Sequence, residues 1–329
     1  MIVSLIIAAA LWALSVVKMF AYRRGQDHTV LLCSMAFALS FTTDVEFVAR
    51  PLDKFLGGDN ASNLVGHLLF SCGVYLLSRS ILLAAQPLRF SAIERGSRIA
   101  LVAVLTAQAF TFSHIDAPVF AQHFTTVYGG QTGAVWYAIV EITYTSLVLA
   151  MTSYFCLKYY RRMSSRIFRT AFLLTALGCI LATCTEILGV EWVVRRHFND
   201  LANLSAANFL HDYIYVLAVL VLTAGLALPS IWNKIHRTSQ RKEAARWVSA
   251  IEPIWNTATD NRREMRIGSR TTAFSDTVRL HRMLVEIRDA LLGEPNLESS
   301  LGESALAQID AAELWLTPRR TRSMEALAQ

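Results

Sequence analysis

The chain has 329 residues, of which 54% are hydrophobic and 17% charged, with a formal net charge of +6. The charge is divided unevenly: residues 1–229 carry 28 Asp, Glu, Lys and Arg, and the last 100 residues carry another 28. That division excludes a single water-soluble domain and points to an integral membrane protein with one soluble appendage.

Seven apolar stretches, at 2–21, 29–49, 63–84, 98–115, 134–156, 168–190 and 207–228, have the length of membrane spans. A hydrocarbon core of ~30 Å takes about 20 apolar residues per helix. The expected fold is therefore all-α: a seven-transmembrane-helix bundle over residues 1–229, followed by a small helical domain over 230–329. The first stretch lacks a basic leader, and its positive charges (Lys18, Arg23, Arg24) follow the apolar run. It reads as a retained span rather than a cleaved signal. All five cysteines lie within spans without a CxxC pair, so they read as small packing residues.

Lys and Arg number 12 in and around the loops after spans 1, 3 and 5, against 4 in the others. Cationic loops stay cytoplasmic, which places the N-terminus outside and the tail inside. No basic–aromatic pattern accompanies the charge, so no nucleic acid is expected as a partner.

Ionisable residues within the spans share one depth, toward the outer face. Span 2 ends in Thr42, Thr43, Asp44 and Glu46; span 3 begins Asn63, His67, Ser71; span 5 carries Tyr137, Glu141, Tyr144 and Thr145. Span 6 carries Glu186, and span 7 opens with Asn208, His211 and Asp212. Residues at i, i+3, i+4 and i+7 share a helix face. Converging stripes would build a polar pocket in the outer half of the bundle, because intramembrane charges face an interior or a wet cavity. The candidate ligand- or ion-binding residues are Asp44, Glu46, His67, Glu141, Tyr144, Glu186, Asn208, His211 and Asp212. Several of them could equally sit in the headgroup region, or serve as structural hydrogen-bond partners.

Histidines beside carboxylates also suit zinc. There is no HExxH or HxxxH pair, so any zinc ligands would come from separate helices. Three functions share these residues: sensing of a small ligand or ion, proton-coupled transport of a small solute, and metal-dependent hydrolysis within the membrane. The first needs no further motif and leads; no catalytic residue is assigned. A loop at about 114–133, without Lys or Arg, could cover the pocket or simply connect. Asn60-Ala-Ser62 and Asn203-Leu-Ser205 match the short glycosylation acceptor pattern.

In the tail, residues 240–255 form an amphipathic run that Pro253 is expected to bend or break. Residues 276–292 place Leu280, Met283, Leu284, Ile287 and Leu291 on one face. Gly293 offers a C-terminal cap. Ser300-Leu-Gly-Glu303 has the pattern of a capping box opening a third helix, with Pro318 as its stop. Three narrow stripes can pack together, or on a cytosolic partner or a second copy, through Leu280, Leu284, Ile287 and Leu291. With no nucleotide-binding pattern, His281 does not read as a kinase phospho-acceptor, and the tail reads as an interaction module rather than an enzyme.

Arg246-Trp-Val-Ser-Ala-Ile-Glu-Pro-Ile-Trp255 and Leu280-His-Arg-Met-Leu-Val-Glu-Ile-Arg-Asp-Ala-Leu-Leu292 carry a resemblance. The chain resembles an actinobacterial family of seven-helix membrane proteins with a cytosolic domain of unknown function, provisionally labelled transporters. It departs from that family in the linker 256–275. The resemblance implies a bacterial plasma membrane and lends support to transport, but it supplies no substrate and no site residues.

Overall fold

The computed structural model describes residues 2–21, 28–85, 90–121, 124–163, 165–198, 204–260 and 275–327. Among them every regular element is helical. The chain divides into two compact units, Met1–Trp232 and Asn233–Gln329.

The first unit holds α1 (Ile2–Ala21), α2 (Thr29–Thr43), α3 (Glu46–Phe55), α4 (Ala61–Ala85) and α5 (Phe90–Phe112). It continues with the short α6 (Phe124–Tyr128), α7 (Thr132–Tyr159), α8 (Arg166–His197) and the start of α9 (Leu204–Thr259). Four helices, α4, α7, α8 and α9, are long and apolar enough to cross a membrane, and the bent pair α2–α3 would make a fifth. The described part of α1 is a shorter apolar helix, Ser4–Phe20. All seven expected stretches are helical, but α5 falls short of the crossing standard. Its first half carries Glu94, Arg95 and Arg98, and its body carries Gln108.

The second stretch departs most from expectation. It does not run as one helix to residue 49: α2 ends at Thr43, and α3 leaves at an angle of 89°. Asp44 is the last helical-geometry residue, and Val45 is extended (φ −83°, ψ 115°). The hydroxyls of Thr42 and Thr43 donate back to the carbonyls of Ala38 and Ser40, bonding the backbone of the helix's own last turns. α3 is two-sided: Phe47 and Phe55 are exposed, while Ala49 and Asp53 are buried.

The core of this unit joins Ile7 and Leu11 of α1, Phe37 of α2, Val74 and Leu77 of α4, Leu149 of α7, Cys179 of α8 and Leu222 of α9. Lipid tails are as apolar as these side chains, so close packing rather than water exclusion holds such helices together. Two glycines show this at α8 and α9. A Cβ on Gly178 would lie 2.8 Å from the Leu222 nitrogen, and one on Gly225 would lie 2.8 Å from the Thr175 nitrogen. The two backbones can meet only because neither residue has a side chain.

The second unit comprises the rest of α9, α10 (Asp276–Gly293), α11 (Pro295–Leu301) and α12 (Glu303–Leu327). Pro253 does not end its helix; α9 runs through it to Thr259. The lost backbone bond costs about 3 kcal/mol, and packing of Ile251, Ile254 and Trp255 into the core outweighs it. The residue before Pro295, Glu294, is extended (φ −144°, ψ 93°) and ends α10. Gly293 remains inside the helix rather than capping it. The capping box does not form, because Ser300 lies in α11 and its hydroxyl bonds the Leu297 carbonyl. Gly302, with φ +76°, makes the break instead, and α12 then continues past Pro318.

Leu280, Leu284 and Ile287 are buried in the core of this unit with Val248, Met283 and Ile309, and Leu291 packs against it. This corrects their assignment as a partner-binding face: the stripe is satisfied by the unit's own helices. Trp255 Nε1 donates to Glu286 at 2.6 Å. Arg288 bridges Glu313 at 2.7 Å and Asp310 at 2.5 Å. Those carboxylates, Glu313 first, hold its guanidinium well above the usual value.

Candidate functional site

Where α4 crosses α7, His67 and Glu141 meet. His67 Nδ1 lies 2.6 Å from one oxygen of Glu141 and 2.5 Å from the other. The contact is within hydrogen-bonding distance for an imidazole beside a carboxylate. The Glu141 side chain is 11% exposed and that of His67 is 34% exposed, so one edge of the imidazole stays accessible.

Two further carboxylates share the electrostatic surroundings of this pair. Asp44, exposed at the break of α2, lies within the electrostatic field of His67 and Glu141. Glu186 of α8, half-buried, lies within the field of the same two residues. Thr145 donates to the Glu141 carbonyl one turn back. No lysine or arginine is among the described electrostatic partners of Asp44, His67 or Glu186.

Tyr137, one turn before Glu141, packs its ring edge-on to His67 at 5.5 Å. Its hydroxyl is buried without a hydrogen-bond partner and lies within the field of Glu141 and Asp44. Along the α4 stripe, Ser71 donates to Gln108 Oε1 of α5 at 3.3 Å. Gln108 is fully buried and its Nε2 has no partner; Asn63 Oδ1 has none either.

The described residues of the loop 114–133 pack over this region. Phe124 of α6 is buried against Phe112 and Tyr137. The loop is held by Asn60, whose amide donates to the carbonyls of Ala117 (3.0 Å) and Val119 (2.9 Å) and accepts from the Ala121 nitrogen (2.8 Å). Gln131 ties the far end to both backbone groups of Asp116. Asn60 stands in the left-handed region (φ +59°), at the end of a run of four positive-φ residues, Gly57–Asn60. Asn and Asp tolerate that conformation better than other residues with side chains. The loop 114–133 is thus an ordered cover over its described residues. The first acceptor pattern fails as a modification site, since Asn60 and Ser62 are both buried.

Below the polar group lies a cavity of about 30 Å³ bordered by α1, α2, α4, α7, α8 and α9. Its walls include Leu11, Phe37, Phe41, Phe70, Tyr215 and Leu222, with Glu186 at the margin. Phe41 lies one turn before Asp44, Phe70 one turn after His67, and Ala182 one turn before Glu186. The same three helices therefore build the polar group and the apolar chamber.

The other expected residues fall elsewhere. Glu46 pairs with Arg50 at 2.8 Å on exposed α3, away from the group. Tyr144 is buried, but its electrostatic neighbours are Cys72 and Tyr75. His211 stacks on Tyr215 at 5.9 Å. The side chains of Asn208 and Asp212 lie outside the described residues. Gln108 was missed, although a lone amide within an apolar run is a visible signal. As to zinc, no three His, Cys, Asp or Glu among the described residues are placed to hold one metal ion. The chain matches no family model, no curated protein and no solved structure.

Proposed function

We propose that this is a seven-helix membrane protein that binds a small ligand or ion at the group formed by Asp44, His67, Glu141 and Glu186. In this reading α1 and α5 also cross the membrane as packed members of the bundle. The cationic loops and the tail face the cytoplasm of a bacterium, and the tail docks a cytosolic partner or a second copy. The observation that carries the reading is the His67–Glu141 contact at 2.5–2.6 Å between α4 and α7, with Glu186 and the exposed Asp44 in its electrostatic surroundings. Ionisable groups at such a depth are costly and are retained for function. Sensing requires only that a ligand bind two states of the bundle unequally.

Transport is the second reading, favoured by the break of α2 beside Asp44. Interrupted helices at polar sites are the way transporters present backbone and carboxyl groups to a solute. The transporter label of the resembling family agrees with it. One experiment separates the two: the purified chain in sealed vesicles, with flux and ligand-induced tryptophan fluorescence read together. A fluorescence change without flux, lost in Glu141→Gln, supports sensing. Flux lost in Glu141→Gln replaces it with transport. Neither signal under any pH or ion gradient overturns the site.

A further inference from the structure

The turn between α2 and α3 lays a short amphipathic helix across the direction of the bundle. α2 runs antiparallel to α4, a helix of membrane-crossing length. The Cys33 thiol donates to the Gly73 carbonyl at 3.4 Å, and the Ser40 hydroxyl donates to the Gly66 carbonyl at 2.8 Å. The two helices therefore share one axis direction, and α3 leaves it at 89°. The 10 residues of α3 include Glu46, Arg50, Asp53 and Lys54, which makes the helix too polar for a hydrocarbon core. Residues four apart form three rows along it. Ala49 and Asp53 are buried, and the Asp53 carboxylate accepts from the Ser62 nitrogen at 3.3 Å, which ties this row to the start of α4. Arg50 and Lys54 form an exposed cationic row, with Arg50 paired to Glu46 and lying 5.3 Å from the Phe120 ring. Phe47, Pro51 and Phe55 form an exposed apolar row beside it, the two phenylalanines 72% and 85% accessible.

We propose that α3 lies flat in the membrane surface, with Phe47 and Phe55 among the upper acyl carbons and Arg50 and Lys54 at phospholipid phosphates. This rests on the membrane-spanning reading above and names the lipid contact made by one of its helices. An apolar row beside a cationic row is the build of a helix that rests in the interface, its apolar side sunk ~5–10 Å below the headgroups. The third row, held on α4, fixes which way the other two point. Two acidic and two basic residues leave α3 without net charge. The contact therefore calls for a phosphate beside an acyl chain, which every phospholipid supplies, and not for an anionic lipid.

The test places one nitroxide per chain, through Phe47→Cys, Lys54→Cys, Phe55→Cys or Leu147→Cys, in the full chain with its own cysteines replaced and held in phosphatidylcholine nanodiscs. Leu147, 60% exposed on α7, is the control for membrane insertion. Collisions with oxygen and with a water-soluble nickel chelate read the depth of each label. Labels at 47 and 55 should meet oxygen more than the chelate and report one depth, whereas a helix along the membrane normal would separate them by ~12 Å. The label at 54 should meet the chelate more, and should broaden the lipid phosphorus signal more than the label at 55 does. Labels at 47 and 55 in water, with the label at 147 in lipid, would overturn the proposal and leave the membrane bundle intact. A label at 147 in water would overturn the reading beneath it as well. Unequal depths at 47 and 55 would overturn the proposal, and so would shielding of both from oxygen and chelate alike, the mark of a protein partner on this face. Equal phosphorus broadening from 54 and 55 would overturn the placing of the cationic row at phosphates. If the cysteine-free chain does not fold, Phe47→Trp and Phe55→Trp in the native chain, quenched by lipids brominated at set depths, decide by the same comparison of depths.

Discussion

The imidazole of His67 and the carboxylate of Glu141 are paired through both carboxylate oxygens, at 2.6 and 2.5 Å, across the α4–α7 contact. Neither residue is near the other in sequence, so the pair reports the packing of two helices directly. Removing one member strands the other. Glu141→Gln and His67→Ala should each lower the unfolding free energy by about 2 kcal/mol, the range of hydrogen bonds to charged groups. The double variant should cost clearly less than the sum of the singles. A double-mutant cycle on thermal or denaturant unfolding in a fixed detergent checks this. Additive losses would show that the two groups do not interact.

Asn60 combines two roles that substitution can separate. Asn60→Gly keeps the left-handed backbone and removes the three side-chain bonds to the loop. Asn60→Ala removes the bonds and adds backbone strain, costing about 1 kcal/mol more. Both should raise proteolysis within the outer loop, and the glycine variant should melt higher than the alanine variant. Equal cleavage of native and Asn60→Gly chains would show that the side chain does not secure the loop.

Arg98 and Arg79 both bond Glu94 at the start of α5. The Arg98 hydrogen bond, above all, holds the Glu94 carboxyl below its usual value of 4.5. A carboxyl with a lowered folded-state value stabilises fully above that usual value and loses the contribution as pH falls through the folded one. Melting temperatures from pH 6 down to pH 3 should therefore decline less in Glu94→Gln than in the native chain. Parallel curves would show that Glu94 is not linked to folding.

Ile287 is fully buried between the tail helices, whereas Leu292 on the same helix is 85% exposed. Ile287→Ala should destabilise the second unit by about 2–5 kcal/mol through cavity formation. Leu292→Ser should stay within about 0.5 kcal/mol. Loss of helical signal on heating separates them. If Leu292→Ser also removed capture of a cytosolic partner, it would place the docking surface on the exposed row rather than on the stripe.

Cysteine labelling checks the orientation. In a chain whose own cysteines are replaced, Gly130→Cys should react with an impermeant reagent on intact cells. Arg162→Cys should react only after permeabilisation. The reverse pattern would invert the topology inferred from the cationic loops.

The helical class was legible, and so were the four or five helices apolar and long enough to cross a membrane, because runs of that length have few alternatives. The stripe Tyr137, Glu141, Tyr144 and Thr145 was legible too, and all four residues are buried. The break at Asp44 was not, because Thr42, Thr43, Asp44 and Glu46 read as the polar end of one span and no Gly or Pro marks a bend there. His67 and Glu141 could be placed at one depth, but their contact depends on which helices neighbour one another. The tail leucines were assigned to a partner because an amphipathic stripe does not say what it packs on; here the chain supplies the cover. Pro253 and Pro318 show local preference yielding to packing.

The turn at Asp44 also has a consequence for the surrounding lipid. The 15 residues of α2 cover only ~22 Å at 1.5 Å per residue, against a hydrocarbon thickness of ~30 Å. Beside α2 the bilayer must thin, or neighbouring helices must shield the shortfall.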